Sequence, residues 1–435
     1  MFQAVINGIK FSILTSLEKI VVVVLSLYLS QHLTQLEFGQ YGLLLSLSLI
    51  LNTVFIGGSN TILFRLISDK DYFPIRYDLL VSVFGISTKR MLISLPVLLT
   101  GYIVLLDPII GPLPPSAIFI VAGSAALGSY LFLYLSVLLV ERNYKLVGYI
   151  TCIKISFLAL PLILVEYLPI VEIRFIFELI STALILGIFV VPTVFSLVKS
   201  VHKSGSSQIA KLRSYGGYTL VIQFFMMGVN GYDKILLGVF KNQNDVAIYT
   251  MFCQFLIGIF IINAFNSVLS NQYFNQVKNN IEGFKASFNT AIILAVIALT
   301  LKFCILKFGS LVLKSLTSNV YLELVPHLVY IADIYFLYAL YLTFSRHFHY
   351  KVDGKKLMYL TLSATSLGIF TTVVLIYWFG TVGAIFGAIT TYFFLTVFCY
   401  SGARVIYRNY GTKRGDVCLS AVVMLTLGTS VVSLF

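Results

Sequence analysis

The chain has 435 residues, of which 59% are hydrophobic, 15% aromatic and 11% charged. A soluble domain of that size cannot bury so much apolar side chain, so the composition excludes a soluble globular protein and points to one dissolved in lipid. The net charge of +13 invites nucleic acid as a partner. A nucleic-acid surface needs its cations gathered on one soluble face, however, and no soluble stretch is long enough to offer one. The cysteines Cys152, Cys253, Cys304, Cys399 and Cys418 stand singly in apolar segments with no C-x-x-C spacing. Neither a disulfide framework nor a metal site is implied, and no cofactor is expected.

Apolar runs near the ~20 residues that cross a bilayer fall at 10–30, 41–67, 88–106, 115–140, 147–167 and 174–197, and again at 217–240, 247–270, 287–308, 324–345, 357–379 and 383–406. The expected fold is therefore all-α, a polytopic membrane protein of twelve transmembrane helices. It has thirteen if Val417 to Phe435 crosses rather than lying in the interface. The first run lacks a small-residue cleavage site and reads as an uncleaved helix. Six runs lie on each side of KSVHKSGSSQIAKLR (Lys199–Arg213), which carries four cations and no acid. The sequence thus divides into an N-terminal six-helix bundle (1–198), a basic linker (199–214), a C-terminal six-helix bundle (215–410) and a tail (411–435).

With the N-terminus in the cytoplasm, the inner connections hold 4, 2, 4, 2, 4 and 4 Lys or Arg, twenty in all; the outer ones hold only Arg174, Lys241 and Lys314. The positive-inside rule then makes the linker cytoplasmic. No connection is long enough to be an extramembrane catalytic domain, and no P-loop, H-E-x-x-H or G-x-S-x-G is present, so an enzyme is not expected. Arg346, His347 and His349 read as an interfacial basic cluster, because residues two apart on a helix do not share a face for metal ligation.

Polar residues inside the spans are the informative ones, because each costs free energy in hydrocarbon unless it meets water or a partner. In the first span Ser12, Thr15, Ser16, Lys19, Ser26 and Ser30 form one stripe, with Glu18 beside Lys19. Phe38-Gly39-Gln40-Tyr41 opens the second span, which then shows Asn52 and, after Gly57-Gly58-Ser59-Asn60, Arg65. Lys154 stands alone in the fifth span. The seventh repeats the first, with Thr219, Gln223, Asn230 and Lys234 in one stripe and Asp233 beside the lysine. Ala247-Ile248-Tyr249 then opens the eighth span as Phe38 to Tyr41 opens the second, a weak internal repeat. The tenth span places Asp333 at mid-depth, with Tyr330, Tyr338 and Tyr341 within about 80° of one another at 100° per residue. Two readings of the stripes stand: helices lining a wet cleft, or polar glue between helices. For Asp333 the alternatives are a titrating carboxyl and a counter-ion to a lysine such as Lys19 or Lys154.

The two six-span halves, Phe38-Gly39-Gln40-Tyr41, the run from Gly57 to Arg65 and the stretch from Asp233 to Tyr249 together resemble the oligosaccharide flippase family. Its members are O-antigen and capsular repeat-unit translocases of the multidrug/oligosaccharidyl-lipid/polysaccharide exporter superfamily. The likeness covers about residues 10–410, with no glycine before Tyr249 and with the last nineteen residues extra to a twelve-span core. The resemblance implies a V-shaped pair of bundles in the bacterial inner membrane. It also implies transport of a polyprenyl-diphosphate-linked oligosaccharide to the periplasmic leaflet, with polysaccharide polymerase machinery as a neighbour. On that reading Lys19, Arg65, Lys154 and Lys234 meet the diphosphate, and Asn52, Asn230, Tyr330, Tyr338 and Tyr341 meet sugar. Asp333, Glu18 and Asp233 serve H+ or Na+ coupling. The alternatives are a drug or organic-cation antiporter of the same fold and a membrane enzyme of polysaccharide assembly.

Overall fold

The computed structural model describes residues 2–57, 76–101, 113–140, 143–167, 170–191, 206–263, 265–266, 269, 283–351 and 354–408. Among them there is no strand. The helices are α1 (Phe2–His32), α2 (Gln35–Ile56), α3 (Arg76–Gly101), α4 (Pro115–Val140), α5 (Tyr144–Leu164) and α6 (Ile173–Ile185), whose last turn widens into a π turn at Leu186–Val190. They continue with α7 (Ser206–Phe240) and α8 (Gln243–Gln254), which runs through a 3-10 turn at Phe255–Ile257 to make the apolar span Gln243–Asn263. Next come α9 (Gly283–Leu316), a 3-10 segment Asn319–Leu328 and α10 (Val329–Lys351). The final stretch Gly354–Arg408 is broken at Gly380, with φ 57° and ψ −128°, into α11 (354–379) and α12 (381–408). Among the described residues there are thus twelve helices, one for each apolar run. The Lys199–Arg213 linker falls partly outside the described residues; Arg65 and Val417–Phe435 fall wholly outside them.

Two helices begin earlier than hydropathy suggests. α3 starts at Arg76 rather than near residue 88, and α7 at Ser206 rather than near 217. Hydropathy measures depth in lipid, whereas a helix continues for as long as its backbone bonds are satisfied. Polar first turns are therefore invisible to it.

Local signals fix the helix ends. Thr34 and Glu37 form a reciprocal capping box at α2, with Glu37 N–H donating to Thr34 Oγ1 (3.3 Å) and Thr34 N–H donating to Glu37 Oε2 (2.8 Å). Asn143 accepts from Leu146 N–H to open α5, and Asn242 accepts from Asp245 N–H to open α8. Such caps contribute about 1 kcal/mol each. At the other end of α2, Arg90 of α3 donates through Nη1 to the Gly57 carbonyl. It brings positive charge to the helix terminus where the dipole favours it.

Two compact units emerge. One is Tyr28–Ala247; the other is composite, made of Met1–Leu27 and Ile248–Phe435. In the 28–247 unit α2 packs on α4, α3 and α7, and α6 on α4 and α5. A Cβ on Gly57 would fall 1.9 Å from Leu220 Cδ1 of α7, and one on Gly39 only 2.2 Å from the Gln243 carbonyl oxygen. These are close backbone approaches of the kind small residues permit between membrane helices, where dispersion rather than the hydrophobic effect holds helices together. Phe38 and Tyr41, on either side of Gly39, are fully buried and stack at 5.6 Å. The Phe-Gly-Gln-Tyr motif is thus a packing device at the start of α2.

In the composite unit α10 packs on α9 and on the Gly354–Arg408 helix. α11 and α12 cross through a ladder of small residues. A Cβ on Gly368 would meet Thr391 at 2.4 Å, one on Gly387 would meet Thr372 at 2.5 Å, and one on Gly383 would meet the Leu375 carbonyl oxygen at 2.0 Å. Gly85 of α3, by contrast, has nothing within 4 Å of its Cβ direction. Gly383→Val is expected to lower stability by at least about 2 kcal/mol through overpacking. Gly85→Ala is expected to be neutral or to stabilise by about 0.5 kcal/mol through helix propensity. Thermal unfolding of the detergent-purified variants, read by size-exclusion chromatography, checks both.

Candidate functional site

Within the 28–247 unit, two lone in-span charges are brought together. Lys154 of α5 lies 4.0 Å from Glu178 Oε1 of α6, with side chains 12% and 21% exposed. The exposed side chains of α5, Tyr149, Leu160 and Ile163, lie on the opposite side of the helix from Lys154 at 100° per residue. On α6 the exposed Ile180 and Leu184 likewise lie opposite Glu178. Both charges therefore point into the unit and away from lipid. Asn52 is drawn into helix packing: its Oδ1 accepts from Ser129 Oγ of α4 at 3.3 Å and its Nδ2 donates to Ser48 Oγ at 3.4 Å. Asp233 and Lys234 on α7 are 4% and 3% exposed, and Thr219 of the same stripe 3%. The Thr219 and Lys234 ends of the α7 stripe are thus enclosed by protein, while Gln223 is half-buried. Asn230 lies on α7, with its side chain outside the described residues, as Arg65 is altogether.

Tyr41 is gripped by Arg174 at the start of α6. The guanidinium Nη1 donates to the Tyr41 hydroxyl at 2.8 Å and stands over the Phe175 ring at 5.4 Å from its centroid. Arg174 was expected among the few cations of the outer connections. In the structure it ties α6 to α2, through a charge-assisted bond and cation–π contact.

In the composite unit Lys19 stands about halfway along α1. Its ammonium lies 3.8 Å from Glu18 Oε1 and 5.6 Å from the centroid of the Phe260 ring, and its side chain is 42% exposed. With Glu18 on one side and the Phe260 ring on another, Lys19 is half-buried. α10 is tied to α8 by three polar rungs. Tyr335 accepts from Gly258 N–H at 3.0 Å and donates to the Phe255 carbonyl, bridging the 3-10 break in α8. The Tyr338 hydroxyl donates to Asn263 Oδ1 at 2.7 Å. Arg346 donates to Asn266 Oδ1.

Tyr341 and Tyr338 are buried with ring centroids 6.3 Å apart, and Tyr392 meets Tyr338 edge-on at 5.5 Å. Tyr330 is half-buried between His327 and Phe386. Asp333 is 5% exposed. The three tyrosines chosen by periodicity therefore share a face, as expected, and that face meets α8 and α12. Arg346 and His347, read above as an interfacial cluster, are instead 3% and 4% exposed. Asn266, 80 residues earlier in the chain, accepts a hydrogen bond from the enclosed Arg346.

The sequence matches no protein-family model and no curated protein. Solved structures are nevertheless similar along nearly the whole chain. The lipid II flippase MurJ in an inward closed conformation is 14% identical over 98% of both chains, with a TM-score of 0.68. The Vibrio cholerae MATE transporter VcmN is 15% identical over 94% of this chain and 97% of its own, at 0.66. A MOP-superfamily transporter from Pyrococcus furiosus, whose binding pocket is described as having reversed polarity, is 15% identical over 94% and 96%, at 0.61. The chain has the fold of the MOP-superfamily transporters.

Within that MOP fold, sequence reasoning passed over Glu178 and Tyr335. A signal for Glu178 was present: α5 and α6 carry one lysine and one glutamate at interior positions of two consecutive, otherwise apolar spans, and opposite lone charges in neighbouring spans commonly meet. Tyr335 gave none, because its role depends on a break in another helix. Tyr335→Phe is expected to cost roughly 2–4 kcal/mol, since it strands a buried N–H and a buried carbonyl. Tyr330→Phe is expected to stay within about 0.5 kcal/mol. Parallel thermal unfolding curves of the two variants decide the contrast.

Proposed function

We propose that this chain is a flippase that carries a polyprenyl-diphosphate-linked oligosaccharide from the cytoplasmic to the periplasmic leaflet of a bacterial inner membrane, with its N-terminus in the cytoplasm. The observation that carries the reading is Lys19, a cation at mid-span whose side chain is 42% exposed. A bare ammonium facing hydrocarbon is costly, so an open one at that depth belongs to a wet path. Phe260 beneath it adds a π face without adding negative charge. Such a path hydrates the sugar and offers cations to the diphosphate while the polyprenyl tail stays in lipid, which lowers the barrier that keeps such a lipid from crossing unaided. Lys19, Arg65, Lys154 and Lys234 are the proposed diphosphate ligands. Asn52, Asn230, Tyr330, Tyr338 and Tyr341 serve the sugar, and Asp333, Glu18 and Asp233 couple to H+ or Na+. The 1–198 and 215–410 halves alternate access about the 199–214 linker.

A second reading, an antiporter of organic cations, is favoured by one specific observation. Glu178 adds a fourth acid to the three proposed for coupling (Glu18, Asp233, Asp333), so these equal in number the four proposed cations. What separates the two readings is openness. Glu18, Asp233 and Asp333 are 12%, 4% and 5% exposed, well below Lys19.

Proteoliposomes containing the purified protein distinguish them. Translocation of a polyprenyl-diphosphate oligosaccharide is followed by glycosidase accessibility, with a lipophilic cation as the parallel substrate and a pH gradient on or off. Movement of the lipid-linked sugar, lost at least about tenfold in a properly inserted Lys19→Ala variant, is the expected result. Movement of the cation alone would transfer the function to the antiporter reading.

A further inference from the structure

Lys154 has a carboxylate beside it that the proposed function leaves without a task. Glu178 lies 4.0 Å from the Lys154 ammonium, and the two side chains retain 12% and 21% exposure although both face the inside of the 28–247 unit. One turn further along the same face of α6, Thr182 is fully buried, and its hydroxyl has no hydrogen-bond partner among the described residues. A threonine in a helix ordinarily bonds the carbonyl one turn before it. Here that carbonyl, of Glu178, accepts from Ser181 Oγ at 3.0 Å. One turn before Glu178 stands Arg174, which binds Tyr41. The interior face of α6, with Lys154 of α5 against it, thus presents two cations, one carboxylate and one buried hydroxyl free to donate. The site carries net positive charge.

We propose that Glu178 is a displaceable counter-ion. It holds Lys154 in the empty transporter and yields it to a phosphate oxygen of the arriving substrate, to which Thr182 donates its hydroxyl. The proposal rests on the diphosphate reading above and deepens it, assigning a competitor and a donor to one of its cations. A carboxylate in this position offsets the charge of the interior ammonium while the transporter is unoccupied. It also sets selectivity. A neutral lipid lacks the charge to displace it, and a halide ion lacks a second acceptor atom that would reach Thr182. No proton transfer or covalent step is involved; ionic partners are exchanged.

The test uses the full-length protein in nanodiscs, with geranyl diphosphate as the probe and geraniol as its uncharged control, followed by calorimetric titration. Wild type is expected to bind the diphosphate and not the alcohol, and Lys154→Gln to lose that preference. Glu178→Gln is expected to bind the diphosphate about tenfold more tightly, because a competing negative charge has been removed at short range. Thr182→Val is expected to bind it about tenfold more weakly, through loss of a charge-assisted bond. Unchanged or weakened binding by Glu178→Gln, with Lys154→Gln still defective, overturns the counter-ion role and leaves the diphosphate reading standing. Equal binding of diphosphate and alcohol by wild type overturns the diphosphate reading, and the counter-ion role with it. Should Glu178→Gln fail to purify as a monodisperse species, the exchanged pair Lys154→Glu/Glu178→Lys gives a second arm. Keeping one cation and one acid at the site, it is expected to bind the diphosphate within about threefold of wild type, and complete loss in that variant also overturns the role.

Discussion

The cost of placing charge in hydrocarbon governs this structure. Each lysine, arginine or acid inside a span must meet water, an opposite charge or a hydrogen-bonding partner. Lys154 meets Glu178. Arg346 is enclosed with the Asn266 amide against it, and Arg174 uses the Tyr41 hydroxyl and two aromatic faces. Lys19 alone among the proposed diphosphate ligands described keeps a largely open side chain. The wet path proposed for the substrate begins there.

The enclosed charges need helices that approach closely and stay in register, and glycine supplies that. At Gly39, Gly57, Gly383 and Gly387 a single added carbon would collide with a neighbouring helix at 2.5 Å or less. With backbones so close, short hydroxyls reach across: Thr371 meets Thr390 at 3.3 Å in the α11–α12 pair. Polar interior residues then bond to defined partners rather than to whatever lies nearby. Tyr335 bridging the break in α8 is the extreme case, where one span repairs the backbone of another. The break survives in hydrocarbon because its freed groups are satisfied by protein.

Much of this was legible in the sequence and some was not, for physical reasons. Twelve apolar runs declared twelve spans because the bilayer imposes a length. The starts of α3 and α7 were hidden because their first turns, Arg76 onward and Ser206 onward, are polar, and hydropathy is blind to helix outside lipid. Periodicity correctly put Tyr330, Tyr338 and Tyr341 on one face, yet it could not supply Asn263 or Tyr392, which come from spans far away in the chain. Arg346 looked interfacial because it lies near a span end, whereas in the structure it is buried and donates to the amide of Asn266, 80 residues earlier in the chain. Phe38-Gly39-Gln40-Tyr41, noticed as a family likeness, is a packing corner clasped by Arg174. The paired lysines of the two stripes, equivalent in sequence, part company in the structure: Lys19 is open and Lys234 is 3% exposed.

The central claim is that the Lys19 face of α1 is wet while its flanks face lipid or protein. Its most direct test is cysteine accessibility along one turn of α1, in a background with the five native cysteines replaced. Leu17 and Ile20 are exposed and Lys19 is half-buried, so exposure alone does not mark the wet side; only the nature of the solvent does. Lys19→Cys should react with a membrane-impermeant, charged methanethiosulfonate reagent in intact proteoliposomes, while Leu17→Cys and Ile20→Cys should react at least about tenfold more slowly, because a thiol in hydrocarbon does not ionise. Equal reactivity at all three positions, or none at Lys19→Cys, would contradict the wet path and with it the route proposed for the diphosphate.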